Sequence, residues 1–296
     1  MMPGRRWPNW VRGLAWTSPW WLGFLLFLAG PMAISLYISF CDYPLLQPPM
    51  FVGTDNYTAL ASDPVFHKVM GNTLIYAACA LPLTTITAVL LACLLNMPLK
   101  GQAIWRTCVF VPTIVPVVAV GVIWGWLLNP EYGLINGALR VVGVAGPNWV
   151  GSPFWTMTSI ILASVWSVGT PVVIYLAALQ DIPDSQYEAA LLDGAGPVRR
   201  FVHVTVPGIS PAILFNVIIG LITTWQVFAL PYVLLKGTPG IGRSGYFYTT
   251  YLFESAFRYL KMGYASAMGW IQFLIILGLT ALLFAVSRRV VHYRGA

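Results

Sequence analysis

Apolar residues run along this chain in six long stretches, and the charged residues fall between them. No Asp, Glu, Lys or Arg occurs between Gly13 and Cys41, Val69 and Leu99, Thr107 and Pro130, Val141 and Gln180, Phe201 and Leu235, or Met262 and Ser287. Each window holds at least the ~20 residues a helix needs to cross the hydrocarbon core of a bilayer. The pattern predicts six membrane spans at about 18–40, 71–96, 106–128, 156–179, 208–235 and 264–287. A soluble protein would need six core helices with almost no polar face, which a water-soluble surface does not permit. The fold class expected is therefore an all-α integral membrane protein, with residues 1–296 read as one transmembrane domain.

Composition agrees with the pattern. Hydrophobic residues make up 58% of the 296 and charged residues 8%, against roughly 25% charged in soluble domains. The first apolar run is long, rich in Trp and Pro, and lacks a small-residue cleavage site after a short core, so it reads as a span rather than a cleaved leader. Prolines fall inside several spans (Pro31, Pro82, Pro112, Pro116, Pro171, Pro231). Each removes a backbone hydrogen bond and kinks its helix, which a membrane protein tolerates where a cavity or a neighbouring helix satisfies the freed carbonyl.

The formal charge of +7 is mostly a topology signal. Six spans put both ends on one side. That side carries ten of the 16 Lys and Arg residues (Arg5, Arg6, Arg12, Lys100, Arg106, Arg199, Arg200, Arg288, Arg289, Arg294), and the other six are Lys68, Arg140, Lys236, Arg243, Arg258 and Lys261. The positive-inside rule makes the first side cytoplasmic. The connections 41–70, 129–155 and 236–263 then face outward. The basic residues are scattered over separate loops, so a nucleic-acid partner is not indicated. The spacing of Cys41, Cys79, Cys93 and Cys108 matches no zinc or redox pattern, and no metal site is expected.

One cytoplasmic connection is long, at about 181–207. Pro183 suits a first helical position and Asp184 the first turn, where the helix dipole favours negative charge. "SQYEAALL" is strong helix-forming sequence, Gly194 and Gly196 end the helix, and Pro197 opens a second one, "VRRFVHVTV". Asp181, Asp184, Glu188, Asp193, Arg199 and Arg200 together would cost roughly 15 kcal/mol or more at the bilayer centre, so the segment projects into water. Tyr187, Ala190 and Leu191 share one helical face, and the small Ala189 and Ala190 admit a close neighbour. This is the form of a docking helix made for a groove on another protein.

"EAALLDGAG", with Phe201, Pro207 and Pro211 behind it, resembles the EAA motif of binding-protein-dependent ABC importer permeases. The preceding "IYLAALQDIPDSQYEAA", together with "GNTLIY" and "FVPTIVPVVAVGVIW", is similar to the carbohydrate branch, the maltose and multiple-sugar type. The chain lacks the extra N-terminal spans and large insertion of the longer enterobacterial maltose subunit. The resemblance implies a type I importer permease in the bacterial inner membrane. Its 184–193 helix would be a coupling helix, with Tyr187, Glu188, Ala189, Ala190, Asp193 and Gly194 meeting a cytoplasmic ATPase. Two such ATPase subunits, a second homologous permease and an external solute-binding protein are the implied partners. ATP and Mg would be bound by the ATPase subunits, and this chain would hold no cofactor. It has no Gly-x4-Gly-Lys-Ser/Thr loop and no Gly-Lys pair, so it has no phosphate cradle of that kind, and it is not expected to be an enzyme.

A transport path needs polar groups at membrane depth. The fifth span offers "FNVIIGLITTWQVF". Asn216, Gly220 and Thr223 fall at helical spacing on one face, Thr224 and Gln226 flank it, and Trp225 and Phe228 add rings. Amides and hydroxyls for sugar hydroxyls, with a ring for the sugar's apolar face, suit a neutral carbohydrate. The same residue types also serve as interhelical hydrogen bonds. The resemblance points within this span to Thr224, Trp225, Gln226 and Phe228, and adds Trp166, Gly169 and Thr170 on the fourth. Other cargoes of the same machine, a glycerol-phosphate ester or a polyol, stay open, although a phosphate calls for cations that the spans lack. A stand-alone carrier is a second alternative, and the absence of ionisable groups within the spans gives it little to couple to.

Overall fold

A computed structural model describes residues 8–98 and 100–291. Arg5, Arg6, His292 and Arg294 lie outside the described residues. The chain divides into two compact units, one made of residues 1–62 and 252–271, the other of 63–251 and 272–296.

The first unit opens with α1 (Asn9–Phe24), a wide helical turn at Leu25–Ala29, and α2 (Gly30–Ser39). Trp16, Trp20 and Phe27 stand exposed along this apolar rod. Two short antiparallel strands follow, β1 (Cys41–Asp42) and β2 (Met50–Phe51), then α3 (Asp55–Ser62). Asn56 ties them together: its Nδ2 donates to the Ser39 and Cys41 carbonyls, each at 2.9 Å. Gly263 packs so closely on the Cys41 carbonyl that an added Cβ would lie 2.0 Å from it, which excludes any other residue there.

The second unit is built on α4 (Pro64–Asn96). It starts earlier than the hydropathy window because Asp63 caps it, accepting from the Val65 N–H at 2.7 Å. Next come α5 (Gln102–Ile114), α6 (Val117–Leu127), α7 (Leu134–Val141), α8 (Pro153–Trp166) and α9 (Gly169–Gln180). The loop helices α10 (Asp184–Leu192), α11 (Pro197–Arg200) and α12 (Val206–Gly208) lead into α13 (Ser210–Trp225) and α14 (Ala229–Leu234). The short α15 (Tyr248–Phe253) precedes α16 (Met262–Val290).

Lipid is as apolar as leucine, so close packing rather than expulsion of apolar surface holds such helices together. The buried stripe of α4 accordingly carries small residues, Ala77, Ala80, Ala88 and Ala92, and α9 packs Val172, Tyr175, Leu176 and Leu179 against its far end. Gly121 does the same for α6: a Cβ there would sit 2.9 Å from Val233 of α14.

Only three of the six apolar stretches become one long helical run: Asn9–Ser39, Pro64–Asn96 and Met262–Arg288. The third window is broken between α5 and α6 by a 102° bend, and the fourth between α8 and α9 by 46°. At the first break Pro116 forces the preceding Val115 out of the helical region, to φ −69°, ψ 126°, as a residue before proline must be. The fifth window is α13 plus α14, interrupted at 226–228. Charge-free windows locate apolar length but carry no information about such breaks.

Candidate functional site

The three breaks face a common space. A cavity of about 930 Å³ is lined by α4, the α5–α6 break, the α8–α9 break and the α13–α14 break. Unwound backbone at membrane depth is stable only where it lines such a cavity or is satisfied by neighbouring protein. The fifth stretch shows how. Where α13 stops, the Trp225 carbonyl loses its helical partner. Gln272 of α16, itself buried, supplies one through Nε2 at 2.7 Å, and also donates to Thr249 Oγ1 at 3.1 Å.

The cavity wall contains no Asp, Glu, Lys or Arg. Its polar groups are hydroxyls and amides in two states. Some donate to their own helix; the hydroxyls among them keep only acceptor capacity, while the Asn216 amide keeps a second N–H. Thr223 and Thr224 bond the Gly220 and Leu221 carbonyls at 3.0 Å, Asn216 bonds the Ala212 carbonyl at 3.0 Å, and Thr113 bonds the Phe110 carbonyl. Others have no partner among the described residues: the Tyr175 hydroxyl, which is buried, and the exposed Gln226 amide. Tyr76 and Ser164 share a 2.7 Å hydrogen bond at the wall. Phe228 lies at the wall and stacks on Tyr232, ring centroids 5.1 Å apart. The arrangement offers acceptors, one free amide and a ring face to a ligand rich in hydroxyls.

Of the residues expected along the path, Thr170, Asn216, Thr223, Thr224, Gln226 and Phe228 line this cavity. Three do not. Trp225 is 2% exposed and packs with Ala77 and Leu221 against Ile275, Ile276 and Leu279. Trp166 makes an edge contact with Trp124 at 6.4 Å. Gly169 serves packing: a Cβ there would lie 2.6 Å from the Val109 carbonyl oxygen. The wall also gains residues outside the sequence expectation, among them Tyr76, Thr84, Thr85, Ser164 and Tyr175. Their signal was the hydroxyl groups recurring inside charge-free windows, as in "LTTIT" and "SVWS".

The 181–207 loop forms a separate feature. Its helix starts at Asp184, with Pro183 as the preceding residue in extended geometry at φ −62°, ψ 135° rather than at the first helical position. Gly194 ends it at φ +74°. The Gly194 and Ala195 N–H groups return to the Leu191 and Ala190 carbonyls at 3.0 and 2.9 Å, a Schellman closure that satisfies the helix's last carbonyls. The expected docking face divides, with Leu191 59% exposed. Tyr187 points inward, its hydroxyl 3.0 Å from Thr205 Oγ1, and packs on the core below. The free face is Ser185, Glu188, Ala189 and Leu192, one turn apart on the opposite side, all exposed. Leu192 is 89% exposed and Val198 76%.

A multi-pass helical protein whose broken spans line an uncharged central cavity has the build of a transport permease. This chain belongs to the family of binding-protein-dependent transport system inner membrane components, which it matches over residues 65–292. It is 37% identical over 288 residues to the probable ABC transporter permease protein YesP of Bacillus subtilis, covering 96% of this chain and 93% of that one. It is 33% identical to the sulfoquinovosyl glycerol transport system permease protein SmoG of Agrobacterium fabrum, covering 89% and 86%. The structure of a bacterial ABC transporter involved in the import of the acidic polysaccharide alginate superposes with a TM-score of 0.83 at 25% identity, over 96% of this chain and 97% of that one. The fold is that of a type I ABC importer permease, and the protein is a transport subunit of an ATP-driven importer, with ATP hydrolysis carried by separate ATPase subunits.

Proposed function

We propose that this permease forms, with a second homologous permease, the path for a neutral carbohydrate handed over by an external solute-binding protein, and that α10 is the element through which two ATPase subunits drive it. The observation carrying the cargo reading is the 930 Å³ cavity, uncharged and largely apolar, with hydroxyls, two amides and aromatic rings set into its wall. A sugar hydroxyl donates to the threonine oxygens and accepts from Gln226, and its apolar face meets Phe228. A glycerol-phosphate ester would find no cation here. The related alginate importer takes an acidic polysaccharide; an acidic sugar would require its cations from the second permease.

The free face of α10 supports the coupling reading. Glu188, Ala189 and Leu192 form a small, partly apolar patch on a helix that its own chain covers only on the Tyr187 side, which is how a helix meant for a groove is built. The cytoplasmic side for this loop and for both termini rests on the Lys and Arg distribution.

The test is reconstitution in proteoliposomes with the partner permease, ATPase subunits and binding protein. A panel of neutral sugars, acidic sugars, polyols and phosphate esters is scored by stimulated ATP hydrolysis and uptake. Stimulation by neutral sugars that is reduced several-fold in Gln226→Ala supports the reading. Stimulation only by anionic cargo, unaffected by Gln226→Ala, overturns it.

A further inference from the structure

A second cavity, of about 730 Å³, lies away from the transport path, between α6, α14 and the two connections that follow them. Its floor is apolar: Gly121, Val122 and Gly125 of α6 face Val233 and Leu234 of α14. Val233 fills the space beside Gly121, but an added Cβ at Gly125 would meet only Leu234, at 3.9 Å, which leaves a slot there. Its rim is cationic, with Lys236 and Arg243 and no acidic residue in the wall. Neither cation has an ion-pair partner among the described residues, where the one salt bridge joins Arg258 to Glu254.

Three observations set these cations apart from ordinary loop charges. Both sit in left-handed backbone, at φ 55° and 56°, two of only four described non-glycine residues that do. For Lys236 this is the left-handed residue that closes α14, its N–H and that of Gly237 returning to the Val233 and Tyr232 carbonyls at 3.1 and 2.8 Å; for Arg243 it is strain that the surrounding structure must hold. The surroundings do hold it here: the Arg243 carbonyl accepts from Asn72 Nδ2 at 2.7 Å. The cavity is also flanked by Trp126 and Tyr132, 71% and 73% exposed, the aromatic types that mark the headgroup level of a membrane. An apolar slot on a membrane-spanning helix, aromatic flanks and two unpaired cations at the rim suit an anionic phospholipid, with its acyl chain beside Gly125 and its phosphate toward Lys236 and Arg243.

We infer that this cavity is a binding site for an anionic phospholipid such as phosphatidylglycerol. The inference rests on the membrane placement of the chain and not on the nature of its cargo. The full-length protein, purified in mild detergent, is mixed with phosphatidylglycerol or phosphatidylcholine, and retained lipid is counted by native mass spectrometry. Phosphatidylglycerol should be retained preferentially. Loss of both charges in Lys236→Gln/Arg243→Gln should weaken retention roughly thirty-fold. Gly125→Leu keeps the charges and fills the slot, and it should also release the lipid. Lys68→Gln/Lys261→Gln removes the same charge elsewhere and should change nothing. Unchanged retention in Lys236→Gln/Arg243→Gln overturns the site, as does equal retention of phosphatidylcholine. Complete displacement by millimolar inorganic phosphate would make it a site for a free anion and overturn the lipid. So would a Gly125→Cys variant that crosslinks to a neighbouring permease and retains no lipid. If Gly125→Leu does not fold, the charge variant decides alone.

Discussion

Asn72 should hold the outer connection of the fifth span in place, and replacing it should loosen residues 236–247 without touching the transport cavity. Its Nδ2 donates to two carbonyls far along the chain, Arg243 at 2.7 Å and Tyr246 at 2.8 Å. The side chain is 4% exposed, so water does not compete for it. Asn72→Ala removes two hydrogen bonds, each worth about 0.5–1.5 kcal/mol net, and leaves a carbonyl without its donor beside the buried Tyr246, so a total near 2–3 kcal/mol is expected. That corresponds to roughly 30- to 150-fold more frequent local opening, because each 1.36 kcal/mol is tenfold. Hydrogen exchange followed by mass spectrometry on the protein in nanodiscs reads this directly, through the amides of Arg243, Ser244, Gly245 and Tyr246 that bond within the loop. Asn72→Asp is the sharper variant. It loses both donors and places carboxylate oxygens against two carbonyl oxygens, so it should exceed the alanine effect. Thr73→Val removes the acceptor of the Tyr248 N–H, at 3.0 Å, and the donor to the Val69 carbonyl, at 2.8 Å, and should cost about 1–3 kcal/mol. Protection of 236–247 within two-fold of wild type in both Asn72 variants would refute the reasoning.

Further outcomes follow from the same geometry. Gly194 at φ +74° has no atom within 4 Å of an added Cβ, so Gly194→Ala should carry only the backbone strain of about 1–2 kcal/mol and keep partial transport. Gly194→Pro, locked at negative φ, should abolish substrate-stimulated ATP hydrolysis. Glu188→Lys should weaken ATPase retention on pull-down, whereas Tyr187→Phe, which loses only the bond to Thr205, should leave retention near wild type and lower thermal stability slightly. Gln226→Ala should cut uptake several-fold, the loss of one hydrogen bond of about 0.5–1.5 kcal/mol. Trp225→Ala should instead lower the melting temperature of the purified protein, since emptying a packed Trp site costs about 3–5 kcal/mol. A Ser185→Cys variant in a Cys-free background should resist impermeant maleimide in intact cells and react in inverted vesicles; labelling in intact cells would reverse the topology.

The sequence made the apolar lengths legible because a bilayer demands them, and composition alone reports that demand. It made the 181–207 helix legible through its caps and glycines. It did not reveal which face of that helix is free. Tyr187, Ala190 and Leu191 are indeed neighbours at helical spacing, but spacing does not say which stripe meets the chain's own core. Thr205, 18 residues on, decides that. The same limit explains the path residues. Gln226 and Trp225 are adjacent, but Trp225 lies about 200° round the helix from Thr223 and packs with α16, while the break after it leaves Gln226 at the cavity. The hydroxyls of α4 were visible as letters but not as a wall, because four separate elements have to converge to make one.

Gln272 has a mechanical consequence. By filling the vacancy that the end of α13 creates, its amide rivets that end to α16 and, through Thr249, to α15. A joint whose exposed carbonyl is already occupied gains nothing by straightening and loses two bonds by shearing. The interrupted stretch therefore behaves as a rigid elbow. When the cavity changes its opening from one side to the other, α13, the elbow that ends it and the part of α16 from Gln272 onward should travel as a single body. The compliance has to lie elsewhere, and the 102° corner at Val115–Pro116 is the place to look for it.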